Sequence, residues 1–155
     1  MFAAANERLA KQIIRMSRAS LTRRVAFAAA HRYRRPDWTN ERNEEVFGLC
    51  ARESYHGHSY VCEVTIAGDI DPDTGFIIDL GVFDAILADE VKSRFDHRNI
   101  NLDVPEFADG KLIPSGENVA RFIFDRVESR LAGSVRLENV TIAEDQTLSA
   151  SYRGE

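Results

Sequence analysis

Cysteine is scarce in this 155-residue chain, with two residues, as are methionine with two, tryptophan with one and proline with four. Two thiols cannot build the disulfide framework of a small secreted domain, and a chain of this length can bury a core without one. Long apolar runs are missing, so nothing reads as a membrane span or a secretory h-region. A cytoplasmic protein of one main domain is the expectation. No Gly-rich dinucleotide fingerprint, internal repeat or low-complexity segment is present, which leaves chemistry with an external hydride donor without a motif.

Basic charge is short over most of the length. Residues 1–24 hold six basic side chains and one acidic, of the chain's 20 and 25, leaving 14 against 24 in the remainder. An acidic body offers no face to phosphate backbones, so nucleic acid is not an expected partner. Residues 1–24 read either as a transit-like segment or as an amphipathic extension carrying Leu9, Ile13, Ile14 and Met16, and the folded domain is placed at 25–155.

Histidine, with four residues, is where the chemistry gathers. His56 and His58 alternate with Tyr60, Cys62, Val64 and Ile66, the pattern of a strand with one apolar face, so both imidazoles point to one side. His31 closes another strand-like run over 25–31. If the two strands pair, His31 lies opposite the His56/His58 edge. Three neutral imidazoles around an open fourth position make a catalytic zinc site, whereas a fourth protein ligand, for which Cys50 is the candidate, makes a structural one. The same His-x-His also suits a plain polar strand edge. Cys62 lies within the apolar alternation and reads as a core residue.

Along the chain, residues 32–45 read as a loop or short helix and residues 68–75 as a hairpin turn returning through a short strand, Phe76-Ile77-Ile78. Asp79 caps a helix bearing Val82, Phe83, Ile86, Leu87 and Val91, with Phe95 near its end. Ser115 caps a second, with Val119, Phe122, Ile123, Val127 and Leu131, ending before Gly133. Strands over 135–144 and 148–153 close the chain. The order predicts an α+β fold, an antiparallel four-stranded sheet with two helices on one face, whose free edges invite pairing with further copies. Asp96-His97 reads as a helix end whose histidine favours the negative pole, Glu117 as a first-turn carboxylate, and Glu144, on the parity of Val140 and Ile142, as a carboxylate on the face that apolar pair defines or a solvated strand end.

The motifs Phe27-Ala28-Ala29-Ala30-His31-Arg32, Phe47-Gly48-Leu49-Cys50, His56-Gly57-His58-Ser59-Tyr60, Asp71-Pro72-Asp73-Thr74-Gly75, Asp96-His97-Arg98-Asn99, Glu117-Asn118-Val119-Ala120 and Tyr152-Arg153-Gly154-Glu155 resemble, in order and spacing, the 6-pyruvoyltetrahydropterin synthases and their relatives, the 6-carboxytetrahydropterin synthases. The resemblance implies a tunnelling fold in which sheets join edge to edge into a barrel and two trimers stack into a homohexamer with active sites between subunits. It implies zinc on His31, His56 and His58, a catalytic Cys50 with a relay from Asp96 and His97, and Glu144, with a contribution from Glu117, holding the pterin. Where the family has Glu-Thr this chain has Glu144-Asp145, and Ser115-Gly116 stands where a threonine is frequent. The implied reaction converts 7,8-dihydroneopterin triphosphate to 6-pyruvoyltetrahydropterin with loss of triphosphate. The alternative is the 6-carboxytetrahydropterin reaction on the same substrate, toward deazapurine nucleosides such as queuosine. A non-catalytic pterin- or metal-binding oligomer is a third reading.

Overall fold

The computed structural model describes residues 17–154. Its frame is a pair of long antiparallel strands, β1 (Arg18–His31) and β2 (His56–Asp69), in register from Arg18 opposite Asp69 to His31 opposite His56. Between them the chain forms helix α1 (Asn40–Phe47), capped by the Thr39 side chain, and a 3₁₀ turn at Gly48–Ala51. After β2 come helix α2 (Leu80–Leu87), a π turn (Ala88–Lys92), one further helical turn (Ser93–Phe95) and the two-residue strand β3 (Arg98–Asn99). Helix α3 (Gly116–Glu128) and the hairpin β4 (Arg136–Ala143) and β5 (Ser149–Tyr152) complete the fold. Among the described residues no helix is long and apolar enough to cross a membrane.

The sheet order is β3-β1-β2-β4-β5. This corrects the four-stranded antiparallel expectation: the sheet has five strands and is mixed, because β3 runs parallel to β1 against Ala29 and Ala30. Two residues carry no periodicity, so such a strand leaves no trace in the sequence pattern. The expected strand Phe76-Ile77-Ile78 does not form. Asp71 closes a tight turn through its own carboxylate, which accepts from the N–H groups of Asp73 and Thr74, and its N–H reaches the Phe76 carbonyl. Ile77 and Ile78 then pack singly against the core before Asp79 caps α2.

The first strand starts at Arg18 rather than Val25, so residues 18–24, read as part of the basic extension, belong to the sheet. Their Ser20, Thr22 and Arg24 sit opposite Ala67, Thr65 and Glu63, and Thr22 and Arg24 bond Thr65 and Glu63, giving a polar strand with little apolar signal. Leu9, Ile13, Ile14 and Met16 lie outside the described residues.

The core lies between the sheet face carrying Phe27, Tyr60, Cys62, Val64, Ile66, Val140 and Ile142 and the helices, which contribute Phe83, Ile86, Leu87, Val91, Val119, Ile123 and Val127. Phe27 stacks on Tyr60 with ring centroids 4.9 Å apart. Val82, assigned to the buried face of α2, is instead 56% exposed. The stripe runs through Phe83, Ile86 and Leu87, and the π turn re-phases it so that Val91 and Phe95 still point inward.

Candidate active site

Strand parity assembles the site. In the β1–β2 register His31 faces His56 and Ala29 faces His58, and His31, His56 and His58 share the side of the sheet that holds Tyr60 and the core. One nitrogen from each ring lies within 4.8 Å of the others. His31 is wholly buried, and its Nδ1 lies 2.9 Å from the Pro114 carbonyl. Nδ1–H donates to that carbonyl, which turns the Nε2 lone pair toward His56 Nε2, 3.1 Å away.

Burial, reinforced by His56 and His58, pushes His31 down to about 4 against the partial opposition of Pro114, and burial then His58 lower His56. Neutral imidazoles are the ligand form. His58 Nε2 is buried with no hydrogen-bond partner. An orphaned imidazole nitrogen whose neighbours are two further imidazole nitrogens is what a metal ion would satisfy, so these residues fit one. Cys50 stands outside the cluster of three.

Glu144 follows β4, its N–H bonded to the Leu148 carbonyl across the turn that Asp145 closes. Its side chain is buried, with Oε1 accepting from the Tyr33 hydroxyl at 3.1 Å and Oε2 3.9 Å from His58 Nε2. Burial pushes the Glu144 carboxyl above its ordinary value, and Tyr33 and His58 oppose that. Beside it opens a cavity of about 410 Å³, walled by Tyr33, Phe47, Ile142 and Leu148 and closed by Ser115, Gly116 and Glu117. Apolar walls with convergent carboxylates suit a flat, donor-bearing ring.

Ser115 caps α3 at the Asn118 N–H and so sets Glu117 in the first turn at the cavity. Gly116 lets the helix start pack tightly: a Cβ there would stand 3.2 Å from Ala150 Cβ, so that side chain would have to give by a few tenths of an ångström.

Cys50 lies half-buried in the 3₁₀ turn, its carbonyl accepting from the Tyr33 N–H at 2.8 Å. Burial and then the Glu144 charge push its thiol above the ordinary value. Asp96 and His97 touch each other within one chain, Oδ2 to Nδ1 at 3.1 Å, but no hydrogen bond joins either to Cys50. His97 is 83% exposed and borders a second cavity of about 550 Å³ with Ala28, Ala30, His58 and Arg98.

Tyr33 was missed in the sequence. Its ring packs edge-on to His31 at 4.9 Å and to Phe47 at 6.0 Å. Its place two residues beyond His31, continuing that strand's parity, was the available signal.

The family model for 6-pyruvoyl tetrahydropterin synthase matches residues 20–155. The chain is 35% identical over 141 residues to the 6-pyruvoyl tetrahydrobiopterin synthase of Homo sapiens, covering 91% of this chain and 95% of the relative. It is 37% identical over 137 residues to that of Drosophila melanogaster, covering 88% and 80%. The structure of Caenorhabditis elegans 6-pyruvoyl tetrahydropterin synthase superposes with a TM-score of 0.83 at 31% identity, covering 91% of this chain and 99% of that one.

Proposed function

The chain belongs to the 6-pyruvoyl tetrahydropterin synthase family, and from that premise we propose that it is a zinc-dependent lyase. Its substrate is 7,8-dihydroneopterin triphosphate, its product 6-pyruvoyltetrahydropterin, and triphosphate leaves. The observation that carries the reading is the convergence of three imidazole nitrogens next to a buried carboxylate at the mouth of a ring-sized cavity.

Glu144 anchors the pterin. The amino-pyrimidine edge presents neighbouring N–H donors, and one ionised carboxylate accepts both in a charge-assisted pair that fixes the ring. Glu117 closes the same cavity and supplies a further acceptor. When bound by His31, His56 and His58, zinc supplies Lewis-acid polarisation of the substrate's side-chain oxygens and a positive field that favours the Cys50 thiolate. Cys50 takes the side-chain proton. His97, oriented by Asp96, returns or relays it.

Because His97 is exposed in a single chain and bonds Asp96 rather than Cys50, the site is completed by a neighbouring copy, in a homohexamer of two stacked trimers. The names of the relatives, all pyruvoyl synthases in the comparisons above, support the pyruvoyl over the carboxy product.

The deciding test incubates the zinc-loaded protein with the triphosphate and identifies the pterin by mass. The pyruvoyl compound with one equivalent of triphosphate is expected. A carboxylated pterin would move the chain to the alternative reaction, and recovery of unchanged substrate from a zinc-replete hexamer would leave a binding protein.

A further inference from the structure

The helix that begins at Leu80 does not run evenly into Asp96. Over Ala88–Lys92 its hydrogen bonds widen to the π spacing before a last turn at Ser93–Phe95, a feature frequent at functional sites. One residue of the widened turn, Glu90, is buried and consumed by Arg94, Arg126 and Arg130. Another, Lys92, reaches the sheet. Its ammonium donates to the Ala26 carbonyl at 2.9 Å and to Asp96 Oδ2, also at 2.9 Å.

That same Oδ2 lies 3.1 Å from His97 Nδ1, while Oδ1 accepts from the Ala28 N–H at 3.0 Å. The His97 N–H in turn reaches the Ala28 carbonyl at 2.6 Å. His97 has a φ of +58°, and it is the sole non-glycine residue with positive φ among those described, a conformation that persists only when its surroundings enforce it. Ala26 and Ala28, successive residues on one side of β1, thus hold Lys92, Asp96 and His97 as one clamp along the strand edge. The Ala28 N–H, then Lys92 and His97, hold the Asp96 carboxyl down to about 2, so it is an acceptor throughout the neutral range.

An exposed lysine four residues before an aspartate is ordinarily worth little. Here the second bond, to the Ala26 carbonyl, fixes where the ammonium stands, and it stands on the oxygen that orients His97. We infer that Lys92 is a positioning residue: it pins Asp96 Oδ2 where His97 Nδ1–H must donate, so that His97 Nε2 is presented with its lone pair free. The inference deepens the functional reading above and rests on His97 moving a proton in that reaction. The sequence pattern gives Lys92 no such part, since the π turn sets where its side chain lands.

The test compares Lys92→Met and Lys92→Arg with the parent in the assembled, zinc-loaded enzyme, measuring kcat, KM, zinc content and the side-chain nitrogen shifts of His97. Lys92→Met is expected to lower kcat about tenfold, part of the 10²–10⁴ that a positioned acid–base group contributes, with KM, zinc and assembly unchanged. Lys92→Arg should recover most of that loss. The nitrogen shifts should report one tautomer, Nδ1–H, in the parent and a mixture in Lys92→Met. An unchanged tautomer with unchanged kcat overturns the inference, as does a fall in kcat matched by loss of zinc or of the oligomer. If the parent turns over no pterin triphosphate but the tautomer responds to Lys92→Met, the functional reading fails and the positioning role stands.

Discussion

Tyr33 ties His31 to Glu144, since its ring packs edge-on to His31 and its hydroxyl donates to Glu144. No other hydrogen bond to the Glu144 carboxylate exists among the described residues, so Tyr33→Phe frees that carboxylate to turn. A hydrogen bond to a charged group contributes about 1.5–3 kcal/mol, and affinity for the pterin, measured by fluorescence, should fall about tenfold while zinc content holds. Cys50→Ala acts on a different step. Turnover should fall by at least about 10²-fold with zinc and pterin still bound; loss of zinc instead would make Cys50 a metal ligand.

His31 sets a pH dependence with a defined sign. Its folded value, about 4, lies below the ordinary 6.5, so the unfolded chain binds the proton more readily and the fold favours the neutral ring. This contribution is complete above about pH 6.5 and is lost as pH falls toward 4, on the order of 2–3 kcal/mol. Thermal melts of chelator-treated protein should show that decline between pH 7 and 4, and His31→Gln should flatten it.

At the scale of elements, the helix layer depends on one buried acid. Glu90, 4% exposed, accepts from Arg94 on its own helix, from Arg126 in α3 and from Arg130 just beyond the end of α3. Removing one partner from a buried ionic cluster leaves the others uncompensated, so Glu90→Gln should destabilise by about 3 kcal/mol in urea unfolding. Buried Asn43 plays the same part for the Cys50 loop, its amide bonded to the Arg35 N–H and to the carbonyls of Arg35, Trp38 and Thr39. These elements differed in how clearly the sequence announced them. The caps Asp79 and Ser115 and the stripes of α2 and α3 were legible because capping and 3.6-residue spacing are local. The π turn and β3 were not, because a widened turn and a two-residue strand are selected by what they pack against.

At the scale of the whole molecule, His97 lies exposed at a flank of the sheet. β3 covers only Ala29 and Ala30 of β1, so that flank of the sheet offers backbone groups to another copy. If the site spans two chains, Cys50→Ala and His97→Ala proteins, each inactive alone, should regain activity when co-assembled. Random pairing leaves about one site in four with both groups intact, so about a quarter of parental turnover is expected for an interface of this symmetry. A mixture as inactive as its components would place both groups in one chain.

The sequence by itself determined the family, the three histidines and the side of the strands they share, because alternation along a strand is a property of neighbouring residues. It also pointed to Glu144, whose parity follows Val140 and Ile142. Only the tertiary structure decided that His31 Nε2 meets His56 Nε2, that Tyr33 holds Glu144, and that Lys92 stands on Asp96. Those contacts depend on strand register, on the phase of a π turn and on a backbone held at positive φ, and each is set by packing between segments far apart in the chain.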